Sequence, residues 1–317
     1  MEREFDFEKP VAEMEKAIEK LKASASGDTG SIAAQIAELE KKCEERKKEI
    51  YDSLTPWQTV QVARHPKRPV LYDYISLIFS DFIELHGDRA YGDDRALIGG
   101  FAKLGEQKVM LIGHSKGKNV DENVRRNFGM ARPEGYRKAL RLMRLAEKYN
   151  VPVVTFIDTP GAYPGLDAEE RGQAEAIARN LTEMAKLEIP IVSIVTGEGG
   201  SGGALGIGVA DVVLMLSNAV YSVISPEGCA SILWRDAAYS AQAADSLKIT
   251  AKSLLSLDVI DEIVKEPAGG AHTNHRATGD TIKKAILKHL KKLLTLTPAK
   301  LTEKRFEKFS AMGKFIK

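Results

Sequence analysis

The sequence contains little cysteine. Only Cys43 and Cys229 occur among its 317 residues, and they lie far apart in the chain. Two isolated thiols provide neither the ligand spacing of a zinc site nor a disulfide framework. We therefore expect no metal in this chain and a reducing compartment, in which free thiols persist.

A long apolar run is also missing. The most apolar stretch, 203–216, is rich in glycine and contains Asp211, so it is too short and too broken to span a bilayer. The first five residues, MEREF, are acidic and do not have the apolar segment of a secretory leader. The sequence therefore predicts a cytoplasmic protein with no membrane partner.

Neither positive nor negative charge is in large excess. The chain has 46 lysines and arginines and 44 aspartates and glutamates, with a formal net charge of +2. This balance does not indicate a nucleic-acid partner. A composition of 44% hydrophobic and 28% charged residues is ordinary for a folded protein. The length allows one large α/β domain with an appendage, or two domains.

The beginning of the chain predicts a helical hairpin. Apolar residues recur at helical spacing from Val11 to Leu21 and again from Ile32 to Cys43. Residues 27–30, Gly-Asp-Thr-Gly, form a turn signal between these segments. We expect residues 1–53 to form an arm that packs on the main domain, residues 54–317, or on a partner.

Strands and helices alternate after residue 96. We predict strands at 97–104, 108–114, 151–157, 189–196 and 212–216, with helices at 134–150, 169–186, near Ser201, and at 281–294 after Asp280 as N-cap. The first two strands surround Gly105-Glu106, which is typical of a hairpin. Alternation of this kind predicts an α/β fold with a parallel sheet and crossover connections.

Two glycine-rich turns follow buried strands and precede helices. The first, residues 158–165, reads Asp-Thr-Pro-Gly-Ala-Tyr-Pro-Gly, and the second, residues 197–204, reads Gly-Glu-Gly-Gly-Ser-Gly-Gly-Ala. Open α/β sheets bind ligands at this edge. Glycine lets a ligand approach the backbone, and free N–H groups at a helix start attract negative charge. We interpret the pair as an oxyanion hole, although glycines can also serve tight turns and close helix packing alone.

Two nucleotide-binding patterns and one nucleophile pattern are incomplete. Asp158 to Gly161 resembles the D-x-x-G segment of GTPases, and Gly113 to Asn119 resembles a phosphate loop. The phosphate loop requires G-x-x-x-x-G-K-[ST], but the spacing here is one residue short and Asn119 replaces the hydroxyl. Ser201 could be a nucleophile only with a nearby base, and the next histidine along the chain is His272.

Four segments resemble the carboxyltransferase alpha subunits of bacterial acetyl-CoA carboxylase, within the crotonase superfamily. They are 123–140, 156–165, 197–204 and 221–234, and the similarity runs from about Leu54 to His272. The resemblance implies a crotonase-like fold of repeated ββα units with an N-terminal helical arm, and it makes 54–317 a CoA carboxyltransferase domain. Related acyl-CoA carboxylases and decarboxylases stay open as alternatives, as do a serine peptidase and a non-catalytic binding module.

The resemblance also implies substrates and partners. The donor would be carboxybiotin on a biotin carboxyl carrier protein, which a biotin carboxylase loads, and acetyl-CoA would become malonyl-CoA in fatty acid biosynthesis. A zinc-ribbon beta subunit would complete an alpha2beta2 assembly. Because biotin and the thioester each carry negative oxygen during transfer, each subunit type would supply one oxyanion hole.

The matching turns assign the site residues. The resemblance implies a hole built from the backbone N–H groups of Gly202, Gly203 and Ala204, with Ala162 from the first turn, and we favour the biotin oxygen as its ligand. A basic stretch upstream could bind CoA phosphates or the carrier, or be a solvated face. The substrate-binding candidates in the turns and in this stretch are Gly161, Tyr163, Gly199, Gly200, Lys116, Lys118, Arg125 and Arg126.

Overall fold

The computed structural model describes residues 5–24 and 29–313. Its first part is a pair of helices, α1 (Lys9–Ser24) and α2 (Thr29–Asp52). Val11, Ile18 and Cys43 are buried together in one apolar cluster. The two predicted helices are therefore confirmed. Residues 27 and 28 of the predicted turn lie outside the described residues, and the separateness of 1–53 as an arm stays a prediction.

A mixed sheet forms the centre of the fold. Its eight strands in the described residues are β1 (Ser80–Glu84), β2 (Leu97–Leu104), β3 (Gln107–His114), β4 (Val153–Thr159), β5 (Ile191–Gly200), β6 (Val212–Leu216), β7 (Val220–Ser222) and β8 (Glu262–Val264). The order is β1-β2-β3-β4-β5-β6-β8, and β7 pairs with the end of β5. The strands β1, β2 and β3 pair antiparallel, whereas the pairs from β3 to β8 are parallel. The predicted hairpin and the predicted parallel sheet are both confirmed.

Helices connect and cover these strands. They are α3 (Pro56–Ala63), α4 (Leu71–Ile78), α5 (Val120–Arg125), α6 (Pro133–Lys148), α7 (Leu166–Glu170), α8 (Gln173–Lys186), α9 (Ser201–Leu205), α10 (Pro226–Trp234), α11 (Ser240–Ser246), α12 (Ala251–Ser256), α13 (His275–Leu293) and α14 (Pro298–Ser310). The inner face of α6 buries Tyr136 and Met143 in the main core, which also contains β4 and β5 side chains. Burial of such large side chains drives the helices onto the sheet.

Three predicted boundaries were wrong. The last predicted helix starts at His275, where the Asn274 side chain accepts a hydrogen bond from the amide of Ala277, and Asp280 lies inside it. The predicted helix 169–186 breaks at Gly172, which has a left-handed φ of 80° and separates α7 from α8. The second glycine turn begins later than predicted, because β5 continues to Gly200 through its pairing with β7.

Two kinds of feature are absent from the described ranges, 5–24 and 29–313. No helix there is long and apolar enough to cross a membrane. No group of three or more histidine, cysteine, aspartate or glutamate side chains in the same residues could hold a metal ion.

Candidate active site

The carboxyl ends of β4 and β5 bring the two glycine turns into contact. Thr159 pairs with Gly199 across these strands. A Cβ atom on Gly200 would lie 2.0 Å from the Pro160 carbonyl oxygen, and one on Gly203 would lie 2.4 Å from the Gly161 carbonyl carbon. Real Cβ atoms do not approach neighbours so closely. Glycine is therefore required at both positions because the two backbones touch.

The first turn is held by hydrogen bonds that leave one amide open. The Gly161 amide donates to the Thr159 hydroxyl over 3.1 Å, and the Tyr163 amide donates to the Ala131 carbonyl over 3.0 Å. Gln173 donates to the Tyr163 carbonyl over 2.9 Å. In the described part of the chain, the amide of Ala162 between them has no hydrogen-bond partner. Among residues 161–163, Ala162 is thus the one whose N–H is available for a ligand.

The second turn enters α9 through Ser201, whose φ of 55° is left-handed although it is not glycine. Gly200 is the N-cap of α9. The first amides of a helix have no intrahelical acceptor, and the carbonyl of the N-cap accepts the first intrahelical hydrogen bond. The amide that reaches the Gly200 carbonyl in this way is that of Ala204. The amides of Gly202 and Gly203 are therefore better candidates than that of Ala204 to donate to a ligand.

Two side chains behind α9, Tyr136 and Asn180, donate hydrogen bonds to carbonyl groups in α9, just after it and in α6. The Tyr136 hydroxyl donates to the Gly203 carbonyl over 3.3 Å. The amide of Asn180 donates to the Tyr136 carbonyl over 3.0 Å and to the Gly206 carbonyl over 2.9 Å. Because these contacts are buried, they fix the orientation of α9 against the first turn.

A chain of ion pairs lies beside the two turns. The Lys116 ammonium is 2.7 Å from an Asp158 oxygen and 3.0 Å from a Glu198 oxygen. Arg64 contacts the other Glu198 oxygen at 2.6 Å and also pairs with Glu227. Opposite charges therefore alternate from Asp158 in the first turn to Glu227 at the start of α10.

These neighbours change how the acidic and basic groups titrate. Burial alone would raise the pKa of Glu198, but the charges of Lys116 and Arg64 lower it to about 2. Burial would lower the pKa of Lys116, but Asp158 and Glu198 raise it well above its usual range. Burial, and then the charge of Lys116, lower the pKa of His114 to about 3. At neutral pH Glu198 and Lys116 are therefore charged and His114 is neutral.

Glu198 makes the stability of the fold depend on acid. Its folded pKa of about 2 lies below the ordinary 4.5, so the unfolded chain binds the proton first as the pH falls. The free energy of unfolding is therefore highest above pH 4.5 and decreases as the pH falls toward 2. We expect Glu198 to account for about 2 kcal/mol of the loss between about pH 5 and pH 3. Urea unfolding at the two pH values should show a smaller loss in Glu198→Gln. Equal losses in the two proteins would contradict the prediction.

Comparison with known proteins places the chain in a family. The family described as acetyl co-enzyme A carboxylase carboxyltransferase-like matches residues 4–313. The chain belongs to this family. Its relatives include acetyl-coenzyme A carboxylase carboxyl transferase subunit alpha of Geobacter metallireducens, 56% identical over 98% of each chain. The corresponding subunit of Aromatoleum aromaticum is 56% identical over 98% of this chain and 96% of that protein.

Solved structures share the fold of this carboxyltransferase family member. A Pseudomonas malonate decarboxylase hetero-tetramer in complex with coenzyme A matches 68% of this chain and 86% of that chain, with a TM-score of 0.57 and 16% identity. The beta subunit of Pseudomonas aeruginosa geranyl-CoA carboxylase matches 77% of this chain and 46% of that chain, with a TM-score of 0.55 and 17% identity. The predicted crotonase-like α/β fold is confirmed.

The basic stretch of this carboxyltransferase chain does not act as one surface. Lys116 was predicted to meet substrate, but its ammonium is occupied by Asp158 and Glu198, so we withdraw it as a phosphate contact. Lys118 pairs with Asp73 at 2.5 Å and keeps a mostly exposed side chain. Arg125 and Arg126 line an open cavity, and the Arg126 guanidinium lies 4.9 Å from the Tyr72 ring centre.

A serine nucleophile is not assembled in the described residues. The buried ring nitrogens of His114 and the buried Nδ1 of His272 have no hydrogen-bond partner in these residues, so none of them is bonded to the Ser201 hydroxyl. Its left-handed backbone instead supports the simpler interpretation of a small residue in a crowded turn.

Several residues that shape the site were not predicted. Arg64, Tyr136 and Asn180 reach it through contacts across large sequence separations, for example 134 residues between Arg64 and Glu198. Tyr136 lies in segment 123–140, which carries the family resemblance, but it was given no role at the site, and neither Arg64 nor Asn180 lies in a glycine turn or in one of the resembling segments. Glu198 was inside the second turn but was given no role.

Proposed function

We propose that this chain is the alpha subunit of an acetyl-CoA carboxylase carboxyltransferase. The enzyme would move a carboxyl group from carboxybiotin on a biotin carboxyl carrier protein to acetyl-CoA, forming malonyl-CoA for fatty acid biosynthesis in the cytoplasm. The observation that carries the proposal is the contact between the two turns, where the start of α9 meets the open amide of Ala162. It occurs in a chain that is 56% identical to the named alpha subunits.

Two oxygens become negative during the reaction. Carboxybiotin supplies carbon dioxide, and its ureido group, which keeps the electron pair of the broken C–N bond, then takes a proton from the acetyl methyl group. The resulting thioester enolate carbon attacks carbon dioxide, so malonyl-CoA forms and biotin is released with one proton. The first anion is on the ureido oxygen, and the second is on the thioester oxygen.

The amides of Gly202 and Gly203, with Ala162 opposite, would stabilise the ureido oxygen. Donors that are already aligned cost no reorganisation during the reaction, and one of them contributes about 10²- to 10³-fold in kcat. The turns meet with no room for side chains at Gly200 and Gly203, which keeps the amides close together. A zinc-ribbon beta subunit would supply the second hole in an alpha2beta2 assembly, and a separate biotin carboxylase would load the carrier.

Substrate contacts would come from the neighbouring backbone and from exposed cations. Gly161, Tyr163, Gly199 and Gly200 surround the proposed hole, and the Arg132 guanidinium lies 4.5 Å from the Tyr163 ring centre. Lys118, Arg125 and Arg126 remain candidates for the phosphates of CoA, since Arg125 is exposed and Lys118 is mostly exposed.

The reverse reaction tests the proposal directly. Malonyl-CoA and biocytin would be given to this chain, to its beta partner and to their mixture, and acetyl-CoA release would be measured. We expect turnover only in the mixture, because each subunit supplies one hole. If the two subunits are shown to assemble but the mixture turns over another carboxyacyl-CoA and not malonyl-CoA, the proposed substrate is wrong. Labelling of Ser201 by a fluorophosphonate would instead support a serine peptidase.

A further inference from the structure

We propose that Lys116 is a positioning residue that clamps the two glycine turns together. Its ammonium bridges Asp158, near the end of β4 where the chain enters the first turn, and Glu198, near the end of β5 where the chain enters the second. The inference rests on the proposed carboxyl transfer and assigns to Lys116 a role in that reaction without contact with substrate.

The two turns and Lys116 meet at one carboxylate. Asp158 accepts the Lys116 ammonium at 2.7 Å, and the same oxygen accepts the backbone amide of Glu198 over 3.0 Å. A Cβ atom on Gly197 would lie 2.4 Å from that oxygen. The Asp158 side chain is thus hydrogen-bonded to the backbone of Glu198, and the Lys116 ammonium links the same Asp158 side chain to the Glu198 side chain.

The aliphatic part of the Lys116 side chain is confined, and this directs the ammonium toward Asp158 and Glu198. Gly129 has a left-handed φ of 80°, and a Cβ atom there would lie 3.0 Å from Lys116 Cγ and 2.9 Å from the Asp158 carbonyl oxygen. The Lys116 side chain is only 18% exposed. Arg64 holds the second oxygen of Glu198, so Glu198 cannot turn away from the lysine without losing both cations.

The clamp matters because the proposed hole is made of amides from both turns. Ala162 belongs to the first turn and Gly203 to the second, and the two backbones already touch. Without the ammonium, Asp158 and Glu198 would be neighbouring carboxylates at a poorly exposed site and would repel each other. A displacement of about 1 Å between groups that act together can cost about 10²-fold in rate.

Lys116→Met tests the clamp, with Lys308→Met as the matched control. Lys308 is also 18% exposed and pairs with Asp261 at 2.6 Å. It also donates to the Asp211 carbonyl, and Asp211 accepts the amide of Ile191, at the opposite end of β5 from the turns. In the assembled two-subunit enzyme, we expect Lys116→Met to lower kcat of the reverse reaction about 10²-fold. Its KM for malonyl-CoA should change by about threefold or less, because no substrate contact is removed.

A second variant separates the clamp from simple charge balance. Lys116→Met with Asp158→Asn removes one cation and one anion, and asparagine keeps an oxygen that can accept the Glu198 amide. We expect the melting temperature to recover toward that of the wild type while kcat stays low. Recovery of kcat together with stability would overturn the proposal, as would a loss of kcat in Lys308→Met as large as that in Lys116→Met.

Hydrogen exchange separates this inference from the proposed function. In the full-length chain bound to its partner, amides of 197–206 should exchange faster in Lys116→Met than in the wild type, whereas those of β6 should be unchanged. If the wild-type mixture has no carboxyltransferase activity, the proposed function fails and exchange still decides the clamp. If the wild type is active and Lys116→Met matches it in exchange and kcat, the clamp fails alone.

Discussion

Gly203→Ala is expected to lower kcat of carboxyl transfer by about 10²- to 10³-fold, the effect of losing one donor of an oxyanion hole. Its new Cβ atom would lie 2.4 Å from the Gly161 carbonyl carbon and 2.5 Å from the Ala162 amide nitrogen. Neither neighbour is a flexible side chain, so the two turns must separate and Ala162 must move away from the hole. The measurement is the reverse reaction with malonyl-CoA and biocytin, after binding of the beta partner has been verified.

Gly202→Ala is the matched comparison, one residue earlier in α9. Its Cβ atom would meet only the Ile177 side chain, at 3.7 Å and 3.8 Å, which is ordinary van der Waals contact. Alanine keeps the backbone N–H and is a better helix former than glycine by about 1 kcal/mol. We expect a much smaller loss than for Gly203→Ala. Losses of equal size in the two variants would show that the contact between the turns does not set the rate.

Arg305→Met is expected to lower the free energy of unfolding by about 3 to 5 kcal/mol, the usual result of leaving one buried charge without its partner. Arg305 is fully buried and pairs with both oxygens of Asp211, each at 2.9 Å. It also donates to the carbonyls of Met184, Leu187 and Ile189. Its loss therefore leaves a buried carboxylate and three buried carbonyls with fewer donors, and urea unfolding would measure the cost.

Arg276→Met provides the contrast for Arg305. Arg276 is 75% exposed and lies 3.8 Å from Asp280 on the same helix. Exposed pairs of this kind contribute about 0.3 to 0.5 kcal/mol, so the urea midpoint should barely move. A similar midpoint for Arg305→Met and Arg276→Met would contradict the expected cost of removing the buried donors to Asp211 and the three carbonyls.

The parts of the fold predicted from the sequence are those with local signals. Apolar runs marked β2 to β6, and the two glycine turns marked where chain segments approach closely. The extension of β5 to Gly200 was missed because it depends on pairing Glu198 with Val220 of β7, which lies beyond α9 and β6. The start of α13 was missed because Gly279 is inside the helix, where it packs against Ile78 and Leu77 of α4.

The sequence by itself determined the family, the order of β2 to β6 along the chain and the positions of the two glycine turns. These features have local causes, because a backbone position that only glycine can occupy has a glycine at that position in the sequence. Only the tertiary structure decided which charged side chains pair with each other. Lys116 looked like a free cation, but Glu198, which is 82 residues away, occupies it together with Asp158. The role of a charge depends on its partners in space, and in this chain the sheet brings those partners together from distant segments.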